Sequence, residues 1–221
     1  MLLQQTMKVV EKYFPAISAK QQFQFIQLRA LYICWNARIN VISRQDIDNL
    51  YVNHVLHSLS IAKTVSFKNQ TTVLDVGTGG GFPGIPLAIL FPNVHFHLVD
   101  SVGKKIKVVQ NVVDELDLKN VECTQIRAEK LNDEYDFIVS RAVTGLPQLY
   151  KWVGNRVSKM GFNTIANGIL YLKGGDISEE LQSVSGKITV YPISDWFEEE
   201  YFRGKYVVYI AVGKKPVVSR F

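Results

Sequence analysis

Residues 73–84, Val-Leu-Asp-Val-Gly-Thr-Gly-Gly-Gly-Phe-Pro-Gly, constrain this chain more than any other segment. The opening apolar run, rich in β-branched residues, has the character of a buried strand. Five glycines then fall within the eight residues from Gly77 to Gly84. No regular element tolerates that density. A loop does, because glycine reaches positive φ and lets backbone approach a ligand closely. Ile85-Pro86-Leu87-Ala88-Ile89-Leu90 reads as a short helix, with Pro83 or Pro86 in its first turn, where a missing N–H does no harm. Strand, glycine loop and helix in this order predict free backbone N–H groups at a helix N-terminus, facing a ligand.

A chain of 221 residues, 47% apolar, is long enough for one large domain or one domain with an extension. Its net charge of +5 suits a phosphate-rich partner without requiring one. Cys34 and Cys123 have no metal-binding spacing and read as reduced core residues of a cytoplasmic protein. Gln4, Gln5, Lys8, Glu11 and Lys12 interrupt the first apolar patches, so neither a signal peptide nor a membrane span is expected.

Residues 1–65 predict an N-terminal helical extension. Ser18 with Gln21 makes a capping box, and Phe23, Ile26, Ala30 and Ile33 recur at helical spacing behind it. A second helix is expected from about Asp46, with Leu50, Val55, Leu59 and Ala62 as its apolar side. Residues 66–221 alternate strands with helices. The strands are expected at 72–76, 94–99, 121–126, 135–140 and 168–172. One helix carries Ile106, Val109, Val113 and Leu116, and another Leu146, Leu149, Val153 and Val157. Such alternation implies right-handed crossovers and a parallel sheet covered on both faces. Strands at 188–191 and 205–212 lack room for a covering helix between them, which predicts an antiparallel ending. The expected fold is α/β, a Rossmann-like class I methyltransferase sheet of seven mostly parallel strands with an antiparallel terminal hairpin.

The glycine loop has two readings. Gly79-Gly80-Gly81-Phe82-Pro83-Gly84 fits the dinucleotide pattern G-x-G-x-x-G. Asp75-Val76-Gly77-Thr78-Gly79-Gly80-Gly81 fits the acid-x-Gly-x-Gly-x-Gly loop for S-adenosylmethionine. The second is favoured: this donor carries an ammonium and a sulfonium but no pyrophosphate, and the Asp75 carboxylate would complement the one and repel the other. Asp100, ending the second strand, can accept from ribose hydroxyls, or cap the following helix. Ala128-Glu129 follows the third strand and can meet an adenine edge, or lie in a solvated loop. Arg141 follows the fourth, where it can hold the methionine carboxylate or an RNA phosphate, or sit idle on the surface.

Several segments resemble the RsmG family, also called glucose-inhibited division protein B. They are Trp35-Asn36 with Asn40, His54 to Ser58, Asp75 to Pro86, Asp100-Ser101 with Gly103-Lys104-Lys105, Arg127-Ala128-Glu129, Ser140-Arg141-Ala142 and Leu172-Lys173-Gly174. The likeness runs from about Trp35 to Gly174 and then fades. Its glycine segment alone is common to many methyltransferases, whereas Gly-Phe-Pro-Gly-Ile-Pro and Ser-Arg-Ala are more specific. The resemblance implies S-adenosylmethionine-dependent methylation of N7 of one guanine in 16S ribosomal RNA. It also implies that Gly77, Phe82, Ala128, Glu129 and Arg141 line the donor site. His57 departs from it, standing where the family commonly has Asp.

The chemistry agrees with that implication. Guanine N7 has a free lone pair and needs no deprotonation. No catalytic cysteine or strong base is therefore required, and none is evident at the expected catalytic edge. Alignment of the two reactants then carries most of the rate, an effect worth roughly 7–11 kcal/mol. Arg141 is the candidate for fixing base and cofactor. The candidate donor site is Asp75, Gly77, Gly79, Phe82, Asp100, Ala128, Glu129 and Arg141. The candidate RNA contacts are Arg38, Arg44, Lys104, Lys105, Arg127 and Lys173, expected on one rim, and Phe82 is a candidate for stacking on a base. His54 with His57, and His95 with His97, offer no third ligand, so no metal is expected. The expected partner is small-subunit RNA or the 30S particle, met by a monomer away from membranes. The alternatives are a nicotinamide-dependent oxidoreductase, a non-catalytic ribosome-assembly protein, and a methyltransferase for proteins or small molecules.

Overall fold

The computed structural model describes residues 2–43, 46–141, 143–184 and 186–214. Arg44 and Ala142, both singled out in the sequence, lie outside the described residues.

Seven strands among the described residues form one sheet, in the order β3-β2-β1-β4-β5-β7-β6. They are β1 (Thr72–Val76), β2 (His95–Asp100), β3 (Val121–Gln125), β4 (Phe137–Arg141), β5 (Gly168–Gly174), β6 (Lys187–Pro192) and β7 (Lys205–Ala211). β1 to β5 pair in parallel, and β7 runs antiparallel to both β5 and β6. The terminal hairpin thus inserts its second strand beside β5 and leaves β6 at the edge. The order reverses between β1 and β4, and ligands of open α/β sheets sit at the carboxyl ends there.

Crossover helices α5 (Gly84–Leu90), α6 (Gly103–Glu115) and α7 (Leu146–Val153) follow β1, β2 and β4. The link from β6 to β7 holds only short turns at Ile193–Asp195 and Glu200–Phe202. With no room for a crossover, an antiparallel return is the geometry left.

Helices α1 (Leu2–Tyr13) and α2 (Ala19–Asn36) precede the sheet. The capping box at the head of α2 is formed. Gln21 N donates to Ser18 Oγ at 3.3 Å, and Ser18 N donates to Gln21 Oε1 at 2.8 Å. Its buried side differs from the expected one. Gln24, Phe25, Leu28 and Tyr32 face the core, while Phe23 and Ile33 are 61% and 44% exposed. Two stripes of this helix satisfy helical spacing, and a buried Gln decides between them. Gln24 Nε2 donates to Leu116 O at 2.8 Å, which satisfies its amide inside the core.

The second helix begins at Leu50 rather than Asp46. It opens as a π-helical stretch, Leu50–Leu56, and continues through α3 (His57–Leu59) and α4 (Ile61–Thr64). Leu50, Val55 and Leu59 are buried as expected. One cluster joins Phe25, Tyr32, Leu50 and Leu56 to Ile85, Phe96 and Val109. Cys34 is exposed, against the expected core position, because it sits on the outer side of α2.

Candidate functional site

Two clefts open side by side at the carboxyl edge of the sheet, and Arg141 lines both. The first, about 400 Å³, lies over the ends of β1, β2 and β4. Gly77, Gly79, Phe82, Asp100, Ala128, Glu129 and Arg141 line it, so seven of the eight candidate donor-site residues meet there.

Asp75 is the exception. It is fully buried and is not on the cleft wall. Its Oδ2 accepts from Thr78 Oγ1 at 2.7 Å and from Gly84 N at 2.8 Å, bracing the glycine loop from behind. Burial pushes its carboxyl up to about 7, and its place behind the loop, off the cleft wall, keeps it from direct contact with a cationic ligand there. The expected free N–H groups are also corrected. Gly81 N and Phe82 N donate to Thr78 O, Gly84 N to Asp75 and Ile85 N to Gly81 O. The first turn of α5 is satisfied from within and offers little to a pyrophosphate.

The loop closes because of where its glycines stand. Gly77 adopts φ +66°, and a Cβ there would run into the Val143 side chain. A Cβ at Gly84 would come within 2.7 Å of Asp75 Oδ2 and of Leu98 Cγ. The first position needs left-handed backbone, and the second lets helix and carboxylate approach closely.

Asp100 is 7% exposed, and both its oxygens bind backbone. Oδ2 accepts from Gly79 N at 3.0 Å and Oδ1 from Val102 N at 2.9 Å. It ties the loop to the end of β2 and retains lone pairs toward the cleft. Ala128 and Glu129 share a short turn, Ala128–Lys130, with Ala128 buried and Glu129 exposed. Phe82 is buried among Tyr32, His54 and Arg141, with ring centroids 5.1 Å from Tyr32 and His54, so stacking on a base is closed to it.

Arg141 is the most unusual residue here. Among the described residues no carboxylate lies within salt-bridge distance of it. Burial lowers its pKa. Nη1 donates to Asn53 O at 3.2 Å, Nη2 donates to His54 Nδ1 at 2.8 Å, and the guanidinium lies 5.1 Å from the Phe82 ring centre. A half-buried cation without an acid is costly and marks a place for an anionic group.

The second cleft, about 410 Å³, is lined by Asp46, His54, His57, Arg141, Lys173 and Tyr201, among others. Nε2 of His54 and of His57 is buried without a hydrogen-bond partner. Burial holds His54 down at about 3 and His57 well below its ordinary range. Among the described residues no three His, Cys, Asp or Glu side chains group as a metal site. No described helix is long and apolar enough to cross a membrane.

The model of the family described as rRNA small subunit methyltransferase G matches residues 20–197. The chain belongs to this family. A Flavobacterium johnsoniae protein named ribosomal RNA small subunit methyltransferase G is 55% identical over 210 residues, covering 95% of this chain and 100% of that one. A Cytophaga hutchinsonii protein of the same name is 53% identical, covering 92% and 99%. A solved S-adenosylmethionine-dependent methyltransferase from Aquifex aeolicus shares the fold at TM-score 0.54 and 19% identity, over 77% of this chain and 99% of that one.

The segments that carry the RsmG likeness have a local explanation. Asn36 folds the next residues back: its Oδ1 accepts from Val41 N at 2.9 Å and from Ile42 N at 3.0 Å. Val41 is thereby set on the wall of the first cleft, and Tyr32 Oη donates to Gly80 O. The basic candidates do not share one rim. Lys105 and Arg127 line the first cleft. Lys173 lines the second and is paired with Glu180 at 2.6 Å. Lys104 is exposed beside Lys105. Arg38 is exposed with its guanidinium over the Trp35 ring and lines neither cleft. Sequence reading missed Val41, Trp152, Asp46 and Tyr201 as cleft residues. No motif marks them, since they arrive from distant segments.

Proposed function

We infer that this protein transfers the methyl group of S-adenosylmethionine to N7 of a guanine in the 16S RNA of the small ribosomal subunit, acting as a cytoplasmic monomer. Family membership supports the RNA substrate, because its close relatives carry that activity in their names. The observation that carries the chemistry is the half-buried Arg141, without a carboxylate partner among the described residues, at the junction of two clefts, one of them walled by the glycine loop.

The residues of the first cleft fit the donor. Asp100 has lone pairs left for ribose hydroxyls, and the Ala128–Glu129 turn offers backbone to the adenine edge. Arg141 supplies the cation for the methionine carboxylate. When bound, the donor supplies an electrophilic methyl: the nitrogen–carbon bond forms as the carbon–sulfur bond breaks, and that electron pair stays on sulfur. No proton moves, so the residues need only align and shield. Neutral His54 and His57 suit that task, and Cys123, whose thiol burial pushes up to about 12, is no nucleophile here. Lys105, Arg127, Lys104, Lys173 and Arg38 are proposed to follow phosphates, giving salt-sensitive affinity.

Labelled S-adenosylmethionine incubated with the protein and unmodified small subunits tests this reading. Chain scission at N7-methylated guanine locates the product. One guanine in 16S RNA is expected to carry the label. Binding without transfer would favour an assembly factor.

A further inference from the structure

Guanine and adenine both expose an N7 lone pair, so the reacting atom does not choose between them. Choice rests on neighbouring atoms. Guanine sets an acceptor, O6, beside a donor, N1–H. Adenine sets an amino donor beside a bare N1. A site selecting guanine needs a fixed donor next to a fixed acceptor, and unpaired bases are read on this edge.

The second cleft holds such a pair. Asp46 is kept ionised by hydrogen bonds from Ser43 Oγ, at 2.7 Å to Oδ2, and Asn53 Nδ2, at 2.9 Å to Oδ1. Each oxygen keeps further lone pairs. His54 Nδ1 receives Arg141 Nη2, and a guanidinium has no acceptor, so the imidazole proton must sit on Nε2. That N–H is buried and unpartnered, 4.0 Å from Asp46 Oδ2. Donor and acceptor therefore stand side by side, both fixed.

We propose that the second cleft receives the target base, with the Asp46 carboxylate taking guanine N1–H and His54 Nε2–H meeting O6. The proposal rests on the methyltransferase reading above. Asp46, His54 and Arg141 form a chain of neighbours ending at the residue shared with the first cleft. Guanine N1, O6 and N7 follow in the same order, which leaves N7 at the end nearest the donor. Arg141 Nη1 and Nη2 are engaged by Asn53 O and His54 Nδ1. Adenine in this pose would set donor against donor and lone pair against carboxylate, a mismatch that rejects it.

The test uses the full chain and unmodified small subunits carrying guanine or adenine at the target position. Asp46→Asn is expected to slow single-turnover methylation of guanine about 10- to 100-fold, as loss of a charged hydrogen bond does. Calorimetric affinity for S-adenosylmethionine should stay within about twofold, and the preference for guanine over adenine should narrow. His54→Gln, which keeps an N–H donor, should retain at least about ten times the rate of His54→Ala. Wild-type rate and wild-type base preference in Asp46→Asn and His54→Ala would overturn the proposal. So would loss of donor binding in Asp46→Asn. If the wild-type chain methylates no guanine-bearing subunit, the methyltransferase reading itself falls, and this pocket with it.

Discussion

Arg141 Nη2 lies 2.8 Å from His54 Nδ1, and a guanidinium can only donate there. One contact therefore fixes the tautomer of a half-buried imidazole and anchors a half-buried cation between two clefts. Neither residue is placed for stability. Arg141 has no carboxylate partner among the described residues, and His54 leaves Nε2 unpaired. Such positions trade stability for function.

Arg141→Ala tests that trade. Removing a half-buried cation without an acid relieves a desolvation cost but gives up two hydrogen bonds, so unfolding free energy should change by only about 1 kcal/mol in either direction. Methyl transfer should fall about 10- to 100-fold, since one charged contact to the donor is worth roughly 1.5–3 kcal/mol. Denaturant unfolding and single-turnover rates read the two effects separately. A loss of several kcal/mol with unchanged turnover would make Arg141 structural.

His54 makes acid the weak side of this fold. The unfolded imidazole takes a proton near its ordinary 6.5, while the folded one stays neutral down to about 3. Across that window the unfolded chain binds more protons, so stability falls as pH drops, by about 1.4 kcal/mol per pKa unit. His57 acts in the same direction. Asp75 acts oppositely: its folded carboxyl holds a proton up to about 7, so its contribution is lost as pH rises from about 4 to 7. The stability difference between wild type and His54→Gln should therefore shift toward the variant on acidification. The difference for Asp75→Asn should shift toward the variant as pH rises. Urea midpoints measured across the range check both signs.

Much of this was legible beforehand. All seven strands stand within two residues of their expected bounds at either end, because β-branched runs between turn residues leave few alternatives. The loop, Asp100, the Ala128–Glu129 turn and Arg141 converge because each follows a parallel strand, and such ends meet at one edge. The side of α2 was not legible, since spacing alone cannot show that Gln24 would find Leu116 O in the core. Asp75 was read as facing the ligand because sequence gives position along a strand and not which oxygen the loop will claim. The second cleft was hidden for a different reason. Asp46, His54, Arg141 and Tyr201 come from three distant regions, and only tertiary packing joins them.

Gly77→Ala should damage both loop and ligand binding. The backbone there has φ +66°, and the new methyl would strike Val143, so a cost of about 1–3 kcal/mol is expected. Donor affinity should fall at least about tenfold, read by calorimetry. Full affinity in this variant would show that Gly77 is not held as described.

Asp100→Ala removes the acceptor for Gly79 N and Val102 N as well as for a ligand hydroxyl. Donor affinity should weaken by about 1–3 kcal/mol, because buried donors lose their partner. An unchanged dissociation constant would remove Asp100 from the binding site.

A crystal of the full chain grown with S-adenosylmethionine asks the main question outright. Density for the donor between the loop at Gly77–Gly79, the Asp100 carboxylate and the Ala128 turn, with its carboxylate on Arg141, is the predicted result. A donor bound elsewhere, or a nicotinamide dinucleotide seated in this cleft in its place, would contradict the account.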